Sequence, residues 1–141
     1  MSEFQQDVFL DLLPAAARIV TRRIGGVLRP YQISSAQYSV VRLLIEVRPM
    51  TPKEISERLA TDISTIIGTI TRLERDQFVL RKPSPTDGRS TVLEASDHGR
   101  AVYSAAQPAV EKLIADLLHS MSVDDQSVLR RALLATLQAE G

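Results

Sequence analysis

Between Thr51 and Gly99 the chain sets out two short helices with their own caps, two strands around a turn, and the start of a further helix. That order leaves few folds open, and the one it describes is a winged helix-turn-helix, an architecture that reads duplex DNA. Thr51-Pro52-Lys53-Glu54 opens the first helix: Thr51 can accept from free N–H groups, Pro52 suits the first helical position, and Glu54 completes a capping box. Ile55 and Leu59, four apart with Ala60 beside them, give a narrow stripe for burial, and Thr61-Asp62 cap the next helix after a very short turn.

In that second helix Ile63, Ile66, Ile67, Ile70 and Leu73 recur at helical spacing and are expected to face inward, leaving Ser64, Thr65, Gly68, Thr69 and Arg72 outward. Such a face suits a major groove, because hydroxyls can serve bases or phosphates, Arg72 can fork onto a guanine edge, and Gly68 removes bulk. An ordinary amphipathic helix with a Ser/Thr-rich solvent face shows the same pattern, so the following segment decides. Phe78-Val79-Leu80-Arg81 and Ser90-Thr91-Val92-Leu93-Glu94 read as strands flanking a long tip from Lys82 to Arg89. Pro83 and Pro85 stiffen it, Asp87-Gly88 supplies turn chemistry, and Arg89 sits where an extended tip can enter a minor groove. Alone, Asp-Gly-Arg is a solvated turn; directly after a two-helix unit it reads as a wing.

Outside this core, Val8, Phe9, Leu12, Leu13, Ala16, Ile19, Val20, Ile24, Val27 and Leu28 mark a long first helix, apolar on one broad side. Two more helices follow the hairpin, one opening at Ser96 and one at the capping box Ser122-Val123-Asp124-Asp125. Their Leu113, Ile114, Leu117, Leu118, Leu129, Leu133, Leu134 and Leu137 are more apolar surface than a small winged domain covers, so pairing of two chains is the expected use, with an intramolecular helical cap as the alternative.

The 141 residues, 44% hydrophobic, suffice for a single domain with a sizeable core. The absence of cysteine excludes disulfides, thiolate metal sites and thiol-based peroxide sensing. No apolar run approaches a membrane span and Met1 to Asp7 lacks signal-peptide character, so a cytoplasmic protein is expected. His98 and His119 are the only histidines, and no nucleophile motif, phosphate-cradling loop or metal-spaced cluster accompanies them. An enzyme is therefore not expected, nor a metal or cofactor. The formal net charge of +0 makes steering toward DNA weak. Locally, Arg72, Arg75, Arg81, Lys82 and Arg89 outnumber Glu74, Asp76 and Asp87, so the reading surface is modestly positive.

With these residues assembled, the chain resembles the MarR family of bacterial transcriptional regulators from about Arg18 to the C-terminus. The resemblance rests on Ile33-Ser34 and Gln37, on Thr51-Pro52-Lys53-Glu54-Ile55 with Leu59, on Ser64-Thr65-Ile66 with Arg72-Leu73-Glu74, and on Val79, Arg81, Pro83, Pro85 and Asp87-Gly88-Arg89. The Leu-Thr-x-x-Gly that usually follows appears as Ala95-Ser96-Asp97-His98-Gly99, with Ser96 as cap. Three departures stand out: Gln77 where the family usually has Gly, which calls for a left-handed residue at some cost; Gly68 where relatives carry a larger polar side chain; and Ala95 in place of Leu.

The resemblance implies a mainly α fold with a small β-hairpin wing, residues 1–31 and 97–141 forming dimerisation helices and residues 34–96 the winged lobe. It further implies a homodimer that binds double-stranded DNA at a pseudo-palindromic operator, most often as a repressor, and releases it when a small effector binds, often a phenolic or aromatic acid. Candidate DNA-contacting residues are Ser34, Thr51, Ser64, Thr65, Gly68, Thr69, Arg72, Arg81, Asp87 and Arg89. Arg18, Arg22, Tyr38 and Arg42 are the effector candidates, combining cationic and aromatic groups near the junction of lobe and dimerisation helices, while Tyr38 also shares a helical stripe with Val41 and Ile45, so that plain core packing is its alternative reading. The alternative is a winged helix that uses the same face to bind a protein partner.

Overall fold

The computed structural model describes residues 2–139; Met1, Glu140 and Gly141, the outermost residues of the two terminal segments, lie outside the described residues. The long first helix runs as α1 (Glu3–Asp7), a π-helical turn (Val8–Leu12) and α2 (Leu13–Leu28). Pro14 explains the change of winding. It has no N–H to give to Leu10 and its ring crowds that carbonyl, and the wider turn just upstream, with Leu13 N–H on Val8 O, relieves both.

After a 3-10 turn (Arg29–Tyr31) the chain reverses through Gln32, at φ 56°, into α3 (Ser35–Glu46). Ser34 Oγ accepts from Gln37 N–H at 3.1 Å while Gln37 Oε1 accepts from Ser34 N–H at 3.0 Å, a complete capping box. Helix α3 is the centre of the lobe, contributing Tyr38, Val40, Val41, Leu43 and Leu44 to the core. The expected box at Thr51 and Glu54 opens α4 (Pro52–Arg58). Ala60 then takes φ 49° and ends the helix, so it stands exposed rather than beside the buried stripe.

Helix α5 (Ile63–Arg75) starts on the Asp62 cap. Its buried stripe is Ile66, Thr69, Ile70 and Leu73, a narrow i, i+3, i+4, i+7 seam. This corrects the sequence reading at three positions: Ile63 and Ile67, expected inside, are 48% and 43% exposed, and Thr69, expected outside, is 2% exposed. Thr69 tolerates burial because its hydroxyl donates to Thr65 O at 3.2 Å.

Gln77 adopts φ 65°, the left-handed conformation its position demands, and the chain enters β1 (Val79–Pro83), paired antiparallel with β2 (Thr91–Ala95) in the register Val79↔Ala95 to Pro83↔Thr91. Met50 adds one bridge to Leu93, which locks the segment before α4 onto the base of the wing. Strand β2 packs against α3 and α6, and β1 against α5. Helix α6 (Asp97–Leu118) begins at Ser96, whose Oγ accepts from Gly99 N–H and donates to Gln77 O at 2.6 Å. Helix α7 (Val123–Gln138) is capped by Ser122 accepting from Asp125 N–H, but Asp125 returns no bond, so the expected box is half formed; an Asp is one methylene shorter than the Glu that normally closes it. No helix among the described residues is long and apolar enough to cross a membrane.

Candidate nucleic-acid interface and effector cleft

The exposed end of α5 is organised by one carboxylate. Asp62 accepts from Thr65 N–H at 2.8 Å, from Thr65 Oγ1 at 2.8 Å and from Ser64 Oγ at 2.7 Å. These bonds, the backbone one foremost, hold the carboxyl down at a pKa of about 2. Ser64 and Thr65 are exposed, as the sequence reading required. Gly68 is half-buried, and a Cβ there would meet only Arg72 Nη1, at 3.6 Å, so the Arg72 side chain folds back along the helix over the space that glycine leaves. Arg72 Nη2 also reaches the buried Thr69 Oγ1 at 3.4 Å, which makes Thr69 a support for Arg72 rather than an outward contact.

The cations divide into paired and free. Arg81 is bound by both oxygens of Glu74 at 2.9 Å, which ties the wing to α5 and holds the Arg81 guanidinium pKa up. Arg75 is bound by Asp76 at 3.0 and 3.2 Å, and Lys82 by Glu94 at 2.8 Å. Asp76 also accepts from the buried Gln37 at 3.2 Å, joining α5 to the α3 cap; Arg75 first and Gln37 second keep its carboxyl below the usual range. Of the five cations around the reading surface, Arg72 and Arg89 have no ion pair among the described residues. Asp87 accepts from Arg89 N–H and Ser90 Oγ, both at 3.1 Å, and so shapes the wing tip that carries Arg89. Ser34 and Thr51 sit at helix caps as hydrogen-bond acceptors, which leaves their hydroxyl hydrogens available.

The effector candidates are not brought together. Tyr38 and Arg42 line a cleft of about 510 Å³ with Ile24, Glu46, Tyr103 and Glu111, between α2, α3 and α6. The two tyrosine rings lie 5.3 Å apart, and Tyr103 O–H donates to Glu46 Oε1 at 2.7 Å; burial pushes both phenol pKa values up. Arg18 and Arg22 line a separate shallow groove with Ala17 and Thr21. The helix repeat is the reason: Arg22 is two residues from Ile24, so the two point in different directions. Sequence reasoning missed Tyr103 and Glu111 because they come from α6, far away in the chain, and it missed Glu46 although Tyr38, Arg42 and Glu46 recur every four residues along α3. It also missed the Asp62 network, although the Asp62-x-Ser64-Thr65 spacing allows it.

Comparison with known proteins agrees with this architecture. A model of the MarR family matches residues 33–91, from the α3 cap to the start of β2. The organic hydroperoxide resistance transcriptional regulator of Bacillus subtilis is 28% identical over 127 residues, 90% of this chain and 85% of the relative. A mutant MarR from Escherichia coli complexed with operator DNA shares the fold with a TM-score of 0.81 at 22% identity, over 96% of this chain and 99% of that one. CouR from Rhodococcus jostii RHA1 bound to p-coumaroyl-CoA gives 0.83 at 22% identity, over 89% of each chain. By the matched lobe and the shared fold, this chain has the winged-helix architecture of MarR-family proteins and is similar over most of its length to transcriptional regulators.

Proposed function

We propose that the protein acts as a homodimer that binds a pseudo-palindromic operator and represses transcription until a small effector releases it. The observation that carries this reading is the charge pattern: of the five cations around α5 and the wing, the two without a carboxylate partner among the described residues are Arg72 on α5 and Arg89 at the wing tip, which a major groove and an adjacent minor groove would take. Ser64 and Thr65 would reach base edges, and Ser34 and Thr51 would donate to phosphates. Gly68 would admit the duplex backbone or Arg72, while Arg81 and Asp87 would act by holding the wing in place. Titrating duplex DNA binding against salt tests the reading. Steep weakening with salt is the expected result, and no binding to mixed duplex DNA even at low salt would instead assign this face to a protein partner.

The effector is proposed to be a small aromatic compound in the cleft that Tyr38, Arg42 and Tyr103 line together. The lining carries the Arg42 guanidinium against the carboxyl groups of Glu46 and Glu111, so a phenol fits better than a simple carboxylate, which would have to bind Arg42 and avoid both acids. That revises the expectation of an anion on Arg18 and Arg22, which line another groove.

A further inference from the structure

Every hydroxyl hydrogen on α5 has a hydrogen-bond acceptor inside the protein. Ser64 and Thr65 donate to Asp62, Thr69 donates to Thr65 O, and Thr71 donates to Ile67 O at 2.9 Å. A hydroxyl has one hydrogen and two lone pairs, so a group that has spent its hydrogen can meet a second partner only as an acceptor. The Asp62 carboxylate is acceptor-only once ionised, and its very low pKa keeps it ionised at any ordinary pH, so it cannot return a hydrogen to either side chain.

Resting on the DNA-reading role above, we infer that Asp62 is a specificity-determining residue: it fixes the N-terminal end of α5 as an acceptor-only surface, which selects the exocyclic amino groups of adenine or cytosine in the major groove. Those amino groups are the donors that bases display there, whereas guanine O6 and N7 and thymine O4 are acceptors and would face a lone pair. The N-terminal residues of a reading helix are the ones that approach base edges, and Ser64 and Thr65 are the second and third residues of α5. Phosphates are acceptors as well, so these two hydroxyls add nothing to backbone affinity. The donor role on this helix falls to Arg72, whose guanidinium has no carboxylate partner among the described residues.

Asp62→Asn tests the assignment sharply. Asn is also a good helix cap, so the fold survives. Its Oδ1 can keep the Thr65 N–H and Ser64 bonds. Its Nδ2, in the place of the oxygen that now accepts from Thr65 Oγ1, is a donor, and it turns the Thr65 hydrogen outward.

The experiment selects duplexes from a randomised library with the full-length wild type and with Asp62→Asn, and locates the Thr65 contact as the base position whose preference is lost in Thr65→Val. In the wild type that position should be adenine or cytosine, and a base lacking only the exocyclic amino group should weaken binding by roughly fivefold or more. In Asp62→Asn the preference there should move to guanine or thymine. Loss of the negative charge alone would raise affinity for all sequences without moving that preference. Ser64→Ala, which leaves the cap intact, should relax one further adenine or cytosine position.

A wild-type preference for guanine or thymine at the Thr65 position, or an unchanged preference in Asp62→Asn, overturns the inference while leaving DNA reading intact. Failure of the wild type to enrich any duplex overturns the DNA reading itself, and this inference with it.

Discussion

Gly99 and Gly68 are both helical glycines, yet the structure uses them for opposite reasons. A Cβ on Gly99 would lie 2.2 Å from Phe78 O and 3.1 Å from Phe78 C, backbone atoms held by the Ser96 N–H to Phe78 O bond of 3.0 Å. The start of α6 is thereby clamped onto the α5–β1 junction, and Gly99→Ala should cost about 1 to 3 kcal/mol through forced displacement. Gly68→Ala meets only the movable end of Arg72, at 3.6 Å, and should stabilise by up to about 1 kcal/mol through helix propensity. Thermal unfolding of the two variants should therefore shift in opposite directions, and a Gly99→Ala melting point at or above wild type would show that no clamp exists. Arg72 and Arg89 differ in the same functional way. Arg72→Ala should cost about 1 to 3 kcal/mol at one base position, while Arg89→Ala should weaken specific and random duplexes alike and flatten the salt slope. Equal loss of discrimination in both would mean the two roles are misassigned. Sequence could mark these residues because their types are unusual where they stand. It could not show that Arg75, Arg81 and Lys82, of the same charge type, are neutralised by acids, since two of those pairs join different elements.

At the scale of elements, the caps were the legible part. Ser34, Thr51, Asp62, Ser96 and Ser122 each start the helix expected of them, because a cap is a local contract among four residues. The rotation of α5 about its axis was not legible. Five apolar residues spread over a wide arc, and which part of the arc turns inward depends on the surfaces of α3 and α4, which local periodicity does not contain. The cleft was half legible for the same reason: Tyr38 and Arg42 share α3, whereas Tyr103 and Glu111 arrive from α6. The caps also predict an acid response of the helix-turn-helix. The carboxyls of Glu54, bonded first by Arg48 and then by Thr51, of Asp62 and of Asp76 all lie below their usual values in the folded protein. A lowered folded-state pKa contributes stability that is present above the unfolded value and lost as pH falls through the folded one. Stability should thus hold down to about pH 4 and fall between about pH 4 and pH 2, the Asp62 share last. Urea unfolding across that range checks it; Asp62→Asn should be less stable than wild type near pH 6 and lose less on acidification, and parallel pH profiles would refute the assignment.

For the molecule as a whole, the fold leaves a surface that one chain cannot finish. None of the described residues of α7 is buried, and Val128, Leu129, Leu133, Leu134 and Leu137 are between 39% and 59% exposed. At the other end Phe9, Leu10 and Leu12 are 57%, 69% and 58% exposed. A helix with no buried face has no packing to offset the entropy of ordering it, and buried apolar area is worth roughly 25 cal/mol per Å². A second copy would supply such a face, and a closed pair with two-fold symmetry would place both reading helices for half-sites about 34 Å apart. With a net charge of +0, long-range attraction to DNA is weak, so a single α5 and wing would bind poorly and two on one rigid body would bind far better through effective concentration. Sedimentation at micromolar concentration should accordingly give about twice 15.6 kDa. Leu129→Glu with Leu133→Glu on the exposed side of α7 should yield a monomer whose winged lobe still folds, because neither residue enters its core. That monomer should lose most operator affinity while retaining its base preference on a half-site duplex. A wild type that sediments as a single chain, or a double mutant that stays paired, would place the subunit contact elsewhere; a monomeric mutant with full operator affinity would show that pairing is not what makes this neutral protein bind DNA.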